Sequence, residues 1–265
     1  MLSKEELKEK KWVFGMVHLG PLPGSPNYKH NNEEIIEDAL RDADTLISAQ
    51  VDGIIVENYG DWPFTHDITL SQIMVQTIAT YEIRKRYPEI PLGVNVHYNA
   101  FREEAHLATV VNADFIRVEV FVDTVVYDNG ILYPASGEIL RLRSSLGGKF
   151  LIFADIQPKH TQLLVERSIG ESAHAAERAM ADAIIVTGKE TGSKTPLSSV
   201  KEAKDKVALP VFVGSGVTPE NVIETLKIAD GLIVGSYFKY DGYVFNPVDR
   251  RRVESFMKEV KSYFK

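Results

Sequence analysis

A chain of 265 residues, 44% hydrophobic and 25% charged, has a globular composition and the length of one eight-unit barrel. Its net charge of -7 counts against a nucleic-acid partner, which would show a basic excess. The absence of cysteine excludes disulfides and thiolate metal sites, and beside abundant Lys and Glu it also suits a thermophile.

The first eleven residues are charged and helical in character, which predicts a short N-terminal helix. They lack the apolar core of a signal peptide, and no apolar stretch approaches a bilayer-spanning length, so a cytoplasmic protein is expected. Apolar, β-branched runs then alternate with amphipathic segments. The pattern predicts strands over Trp12–Leu19, Gly53–Asn58, Leu92–Tyr98, Phe115–Val120, Phe150–Ile156, Ala183–Gly188, Val211–Gly214 and Leu232–Gly235. Helices are predicted over Glu33–Gln50, Leu70–Arg86, Phe101–Val111, Glu171–Met180, Pro219–Ile228 and Asp249–Phe264. Strand starts recur about every 31 residues, the length of a βα unit. Eight buried parallel strands with helices between them favour a single (β/α)8 barrel of the TIM type, one domain over residues 1–265. No Gly-x-Gly-x-x-Gly follows the first strand, which counts against an open dinucleotide-binding sheet.

Three connections are long: Gly20 to Asn27, Tyr59 to Phe64, and Phe121 to Ser136, the last with the turn Tyr127-Asp-Asn-Gly130. All follow strands, on the face where barrel enzymes bind substrate. Apolar strands have no structural reason to finish in ionisable groups, yet these do: His18, Glu57, Asn95 with His97, Arg117 with Glu119, and Asp155. Residues two apart on a strand share a face, so the set is expected to converge at the mouth. There Asp155 or Glu57 would be the general base, His18 the acid or hydrogen-bond donor, and Arg117 with Asn95 would steady developing negative charge.

The last two units carry Val211-Phe-Val-Gly-Ser-Gly-Val-Thr-Pro-Glu-Asn221 and Leu232-Ile-Val-Gly-Ser-Tyr-Phe238. Thr218 reads as a helix N-cap with Pro219 at the first helical position. Glycines admit close backbone approach, so Gly214, Ser215, Gly216, Gly235 and Ser236 form an expected phosphate cradle, with Gly188 and Lys189 beside it. A Schiff-base aldolase would need a desolvated lysine at a strand end; Lys159 and Lys189 instead lie beyond their strands, in loops, where one of them is expected to hold the anion or the substrate as a plain positive charge. No cofactor is required by this reading, although carboxylates and one His at the mouth can hold a divalent metal. Expected partners are a small phosphorylated ligand and no nucleic acid; nothing fixes an interface, and homo-oligomers are left open.

The segments Gly15-Met-Val-His-Leu-Gly-Pro-Leu-Pro-Gly-Ser-Pro26, Val56-Glu-Asn-Tyr-Gly-Asp-Trp-Pro-Phe64, Val186-Thr-Gly188 with Thr191-Gly192, Val213-Gly-Ser-Gly-Val-Thr-Pro-Glu-Asn-Val222 and Ala229-Asp-Gly-Leu-Ile-Val-Gly-Ser236 resemble the BtpA family (BtpA- and SgcQ-like TIM-barrel proteins) from about residue 12 to 255. The Gly-Ser-Gly-Val-Thr-Pro-Glu-Asn segment is also similar to the phosphate loop of phosphoribosylanthranilate isomerase. The family resemblance implies a TIM-type barrel and leaves three roles: an isomerase, lyase or nucleosidase-like enzyme on a sugar phosphate or nucleotide-like compound, a metal-dependent hydrolase, or a non-catalytic biogenesis factor. His97 and Glu119 depart from the family pattern, in which strand 3 continues Val-Asn-Val-Leu and strand 4 reads Arg-Val-Asn.

Overall fold

In the computed structural model, which describes residues 1–188 and 190–264, the predicted runs become eight strands. These are β1 (Trp12–His18), β2 (Gly53–Glu57), β3 (Leu92–Asn95), β4 (Phe115–Val118), β5 (Leu151–Ile156), β6 (Ala183–Thr187), β7 (Val211–Gly214) and β8 (Gly231–Val234). Each pairs in parallel with its chain neighbours, and β8 closes on β1 with Gly15 opposite Val234, completing a barrel. The helices between and after them are α1 (Asn32–Ser48), α2 (Leu70–Arg86), α3 (Phe101–Val111), α4 (Ser136–Ser145), α5 (Ile169–Arg178), α6 (Leu197–Lys204), α7 (Val222–Leu226) and α8 (Arg250–Tyr263). Reciprocal capping boxes start α2 (Thr69 with Gln72) and α5 (Ser168 with Glu171), satisfying amides that no helical carbonyl can reach. A four-residue helix, Glu6–Glu9, precedes β1. Among the described residues no helix is long and apolar enough to cross a membrane.

Strand alternation decides what lies inside the barrel. Phe14, Phe115, Phe153 and Phe212 interlock with ring centroids 4.2–6.1 Å apart, joined by Trp12, Met16, Ile55, Ile185 and Ile233. Gly53, Gly93 and Gly231 make room, since a Cβ at each would lie within 2.5 Å of one of these rings. Leu2 and Leu7 of the N-terminal segment belong to the same cluster. Two residues further along β1, β4 and β5, the same face carries His18 (beyond Met16), Arg117 and Asp155. The apolar floor therefore holds a polar mouth above it.

A second pattern ties the units together. An aspartate immediately precedes each even strand: Asp52, Asp114, Asp182 and Asp230. Each accepts the first free amide of the preceding strand, from Val13, Leu92, Ile152 and Val211, at 2.7–2.9 Å. Each also meets a basic side chain, as Asp182 meets Arg143 at 2.8 Å. Asp182 is fully buried, so Asp182→Ala leaves the buried Ile152 amide unpaired and takes the counter-charge from Arg143. The expected cost is about 2–3 kcal/mol in urea-monitored unfolding free energy, against a few tenths for an exposed aspartate.

The structure corrects several sequence expectations. β3 stops at Asn95 and β4 at Val118, so His97 and Glu119 sit in the loops that follow rather than on strand faces. Thr218 does not cap a helix: its amide is taken by Asn221 Oδ1 at 2.9 Å, and α7 starts at Val222 after a turn. The connection after β4 is not structureless; Val125–Tyr127 and Gly130–Leu132 form a hairpin, and Gln162–Leu163 after β5 adds a third antiparallel strand. Helices α4 and α6 complete the expected alternation at positions where the sequence gives no bounds for them.

Candidate functional site

The mouth side chains form two linked groups. Glu57, at the end of β2, contacts His18 Nε2 through Oε2 at 3.0 Å and His97 Nε2 through Oε1 at 2.7 Å. His97 Nδ1 in turn meets Glu119 Oε1 at 2.5 Å, giving a buried run His18–Glu57–His97–Glu119. The His97 contacts have ion-pair distances without aligned hydrogen-bond geometry, and His18 Nδ1 has no partner among the described residues. Arg117 grips Asp155 with two parallel bonds, Nε to Oδ1 and Nη2 to Oδ2, both 2.9 Å, and its Nη1 lies 3.9 Å from Glu57 Oε1. Asn95 donates to the Arg117 carbonyl at 2.9 Å, and Gln76 of α2 donates to the Asn95 carbonyl at 2.9 Å. Asn58 holds the chain as it leaves β3, accepting the His97 amide at 2.7 Å.

Burial sets the charge states, and neighbours then modify them. Burial lowers the proton affinity of His18 more than Glu57 raises it, so this imidazole is held neutral. For His97 burial acts in the same direction, but Glu119 and Glu57 outweigh it and push the pKa up to about 9. Burial raises Glu57, yet the pull of His97 and His18 leaves it well below the usual carboxylate range. Burial opposes the Arg117 charge too, but Asp155 and the two glutamates hold the guanidinium protonated. Burial raises the Asp155 proton affinity, and Arg117 offsets part of that.

The two glycine-rich loops share a cleft with this group. A cleft of about 50 Å³ is lined by His18, Glu57, Arg117 and Lys159 together with Gly214–Val217 and Gly235–Tyr237. That is roughly room for a few waters or one phosphate head group. The Ser215 N–H ends the β7–β8 ladder opposite Ile233, and among the described residues no acceptor pairs with the backbone N–H of Gly216, Val217, Gly235, Ser236 or Tyr237. Thr195 Oγ1 donates to the carbonyls of Gly214 at 3.1 Å and Ser215 at 3.3 Å. In a trans peptide the N–H points opposite to its carbonyl, so the Ser215 and Gly216 amides turn away from Thr195. Ser215 (φ 81°) and Gly216 (φ 68°) are both left-handed, the second without cost. A wider cleft of about 420 Å³, lined by Lys29, Arg41, Trp62 and Phe245 among others, meets the narrow one at His18 and Tyr59.

Of the expected residues, His18, Glu57, Arg117, Gly214, Ser215, Gly216, Gly235 and Ser236 line the narrow cleft. Asn95 and Asp155 do not; they bind the backbone and the guanidinium of Arg117. Gly188 also stays out of the cleft lining, packed where a Cβ would lie 2.5 Å from the Ser193 carbonyl. Lys189 lies outside the described residues. Tyr59 and the loop lysine Lys159 also line the narrow cleft, and the structure adds Thr191, whose side chain bonds both His160 (3.0 Å) and Tyr59 (3.4 Å). Glu57, His97 and Glu119 offer donor atoms within 4.8 Å of one another, a set of the kind that holds a divalent cation. The two carboxylates take opposite nitrogens of the same imidazole, so an ion shared by all three would displace at least one contact.

The sequence pattern of one family matches residues 9–262, nearly the whole chain. The chain belongs to the BtpA family. Relatives include an uncharacterised protein of Pyrococcus furiosus, 40% identical over 247 residues covering 92% of this chain and 93% of its own. The photosystem I biogenesis protein BtpA of Synechocystis is 33% identical over 248 residues, covering 93% of this chain and 86% of its own. Among solved structures, tryptophan synthase subunit alpha from Legionella pneumophila matches with a TM-score of 0.63 at 16% identity, covering 98% of this chain and 97% of its own. N-(5'-phosphoribosyl)anthranilate isomerase from Pyrococcus furiosus matches with a TM-score of 0.59 at 17% identity, covering 95% and 99%. At these identities the likeness is one of fold, a TIM barrel.

Proposed function

We propose that the protein is an enzyme acting on a small phosphorylated metabolite, a sugar phosphate or nucleotide-like compound. The observation that carries this is the meeting of two groups in one cleft: five unpaired amides from the β7 and β8 loops, and the His18–Glu57 pair with Arg117. Unpaired amides suit a dianion, and backbone N–H groups need no counter-charge of their own. The metabolite's body would extend past His18 into the wider cleft between Trp62 and Phe245. Glu57 keeps the proton of His18 on Nε2, and the neutral imidazole exchanges a proton with substrate. Arg117, fixed by Asp155, stabilises negative charge that develops over the mouth. The names of several fold neighbours contain phosphate esters, as in 3-keto-L-gulonate-6-phosphate decarboxylase from Vibrio cholerae, which supports the reading at the level of fold.

Melting temperature against inorganic phosphate and a panel of phosphate esters tests this. A ligand at about 100 times its Kd adds about 2.7 kcal/mol, roughly 5–10 °C for a chain of this size. No shift at millimolar concentrations overturns the proposal. Gly216→Ala is expected to abolish the response, because its Cβ would lie 2.2 Å from the Ser193 carbonyl oxygen and force the cradle open.

A second reading, a non-catalytic assembly role of the kind named for the Synechocystis relative, is favoured by one observation. Leu70, Met74, Ile78 and Val110 lie exposed along a shared α2–α3 face. An assembly factor of that kind gives no shift with any phosphate ester. A divalent-metal hydrolase would instead return stoichiometric metal from protein purified without chelator.

A further inference from the structure

Six carboxylate oxygens face the mouth, and each already has a partner. Both Asp155 oxygens are held by Arg117. The two Glu57 oxygens are taken by His18 and His97. Glu119 gives Oε1 to His97 and accepts the Asn99 amide on Oε2 at 3.2 Å. Lys159 lines the same cleft, with Nζ 5.9 Å from the centroid of the Tyr59 ring, and among the described residues it has no ion-pair partner. Gln157, at φ 48°, turns the chain as it leaves β5, and the Tyr98 hydroxyl donates to the Lys159 carbonyl at 3.1 Å. A loop lysine is thereby held over the barrel.

We propose that Lys159 is a nucleophile that forms an iminium with the carbonyl carbon of a phosphorylated aldehyde or ketone whose phosphate lies on the Gly214–Val217 and Gly235–Tyr237 amides. The inference rests on the phosphate reading above and narrows its substrate class to carbonyl compounds. Burial, with Arg117 beside it, lowers the proton affinity of the amine against the pull of Glu57, Glu119 and Asp155, so more of it is in the reactive neutral form. In the step, the Nζ lone pair adds to the carbonyl carbon and the C=O pair becomes a hydroxyl on taking a proton. That hydroxyl leaves as water after a second protonation, and the C=N bond forms. The net change is ammonium plus carbonyl to iminium plus water, with no oxidant or reductant.

Sodium borohydride delivers hydride to such an iminium and fixes it as a secondary amine. The protein is treated with dihydroxyacetone phosphate and borohydride, with unphosphorylated dihydroxyacetone in parallel, and then analysed by intact mass and peptide mapping. The expected result is one adduct, of the probe's mass less one oxygen atom, on Lys159. It forms faster with the phosphorylated probe and is absent from Lys159→Met. Inorganic phosphate is expected to raise the melting temperature of Lys159→Met as it does the parent, with Lys159→Arg as a folding control. No Lys159 adduct with either probe, or adducts spread over surface lysines and unchanged in Lys159→Met, overturns the assignment. So does loss of the phosphate response in Lys159→Met with retention in Lys159→Arg, which makes the lysine a plain counter-charge. A parent protein that forms the adduct equally with both probes and ignores inorganic phosphate keeps the nucleophile and sinks the cradle.

Discussion

Arg117→Met is expected to lower the unfolding free energy by about 3–5 kcal/mol, the range for breaking a buried ion pair by removing one partner. For a chain of this size that corresponds to roughly 6–20 °C in melting temperature. The reason is what is left behind. Asp155 is buried and loses both of its hydrogen bonds, while Glu57 loses the guanidinium 3.9 Å away. Methionine approximates the volume, so the loss is electrostatic rather than a cavity. The double variant Arg117→Met with Asp155→Leu is then expected to recover most of it, because both charges leave together. Calorimetry of the two singles and the double closes the cycle. If the double is as unstable as either single, the pair is not the unit described here. Recovery of stability without recovery of function would also place the Arg117–Asp155 pair in catalysis rather than scaffolding.

Much of this was legible in the sequence, for a stated physical reason. A buried strand shows its inward face as every second residue, so an apolar residue followed two places on by an ionisable one, as in Phe115–Arg117 and Phe153–Asp155, marks where the floor ends and the mouth begins. What was not legible depends on side chains reaching across units. Asn58 captures the His97 amide, so the chain leaves the sheet after Asn95 although the alternation runs on to Tyr98. Asn221 captures the Thr218 amide and donates to the Gly216 carbonyl, so residues 218–221 brace the glycine loop instead of starting α7. Helices α4 and α6 bury only Ile139, and Val200 with Ala203, too few apolar positions to show a period. Lys159 is legible only as a loop lysine, because a residue three places beyond a strand has no face; the turn at Gln157 is what brings it to the cleft. The aspartates before the even strands did carry a signal, an Ala-Asp or Val-Asp step repeated in every second unit, visible once the units are superposed.

His97 makes the strongest prediction about pH. In the unfolded chain a histidine titrates near 6.5, whereas between Glu57 and Glu119 its pKa stands at about 9. The folded state therefore holds a proton that the unfolded state has released throughout that window, and stability falls as pH rises. The contribution is complete below about 6.5 and is lost by about 9, a total of about 3 kcal/mol. Glu57 acts at the other end: its folded pKa is depressed, so its contribution is present above the usual carboxylate range and lost only in acid. His18 is lowered by burial, so its effect is confined below 6.5 and rises with pH. The three do not overlap between 6.5 and 9, and the difference between the parent and His97→Gln isolates the first. Urea unfolding of both proteins across that range is expected to show the parent's advantage shrinking steadily toward pH 9. A constant difference would mean that His97 is neutral in the fold, and Glu57 and Glu119 would then face each other across it as two unneutralised carboxylates. A buried mouth cannot hold that arrangement without taking up a proton or a cation elsewhere, so the pH profile also tests whether the imidazolium is what lets Glu57 stay ionised beside His18.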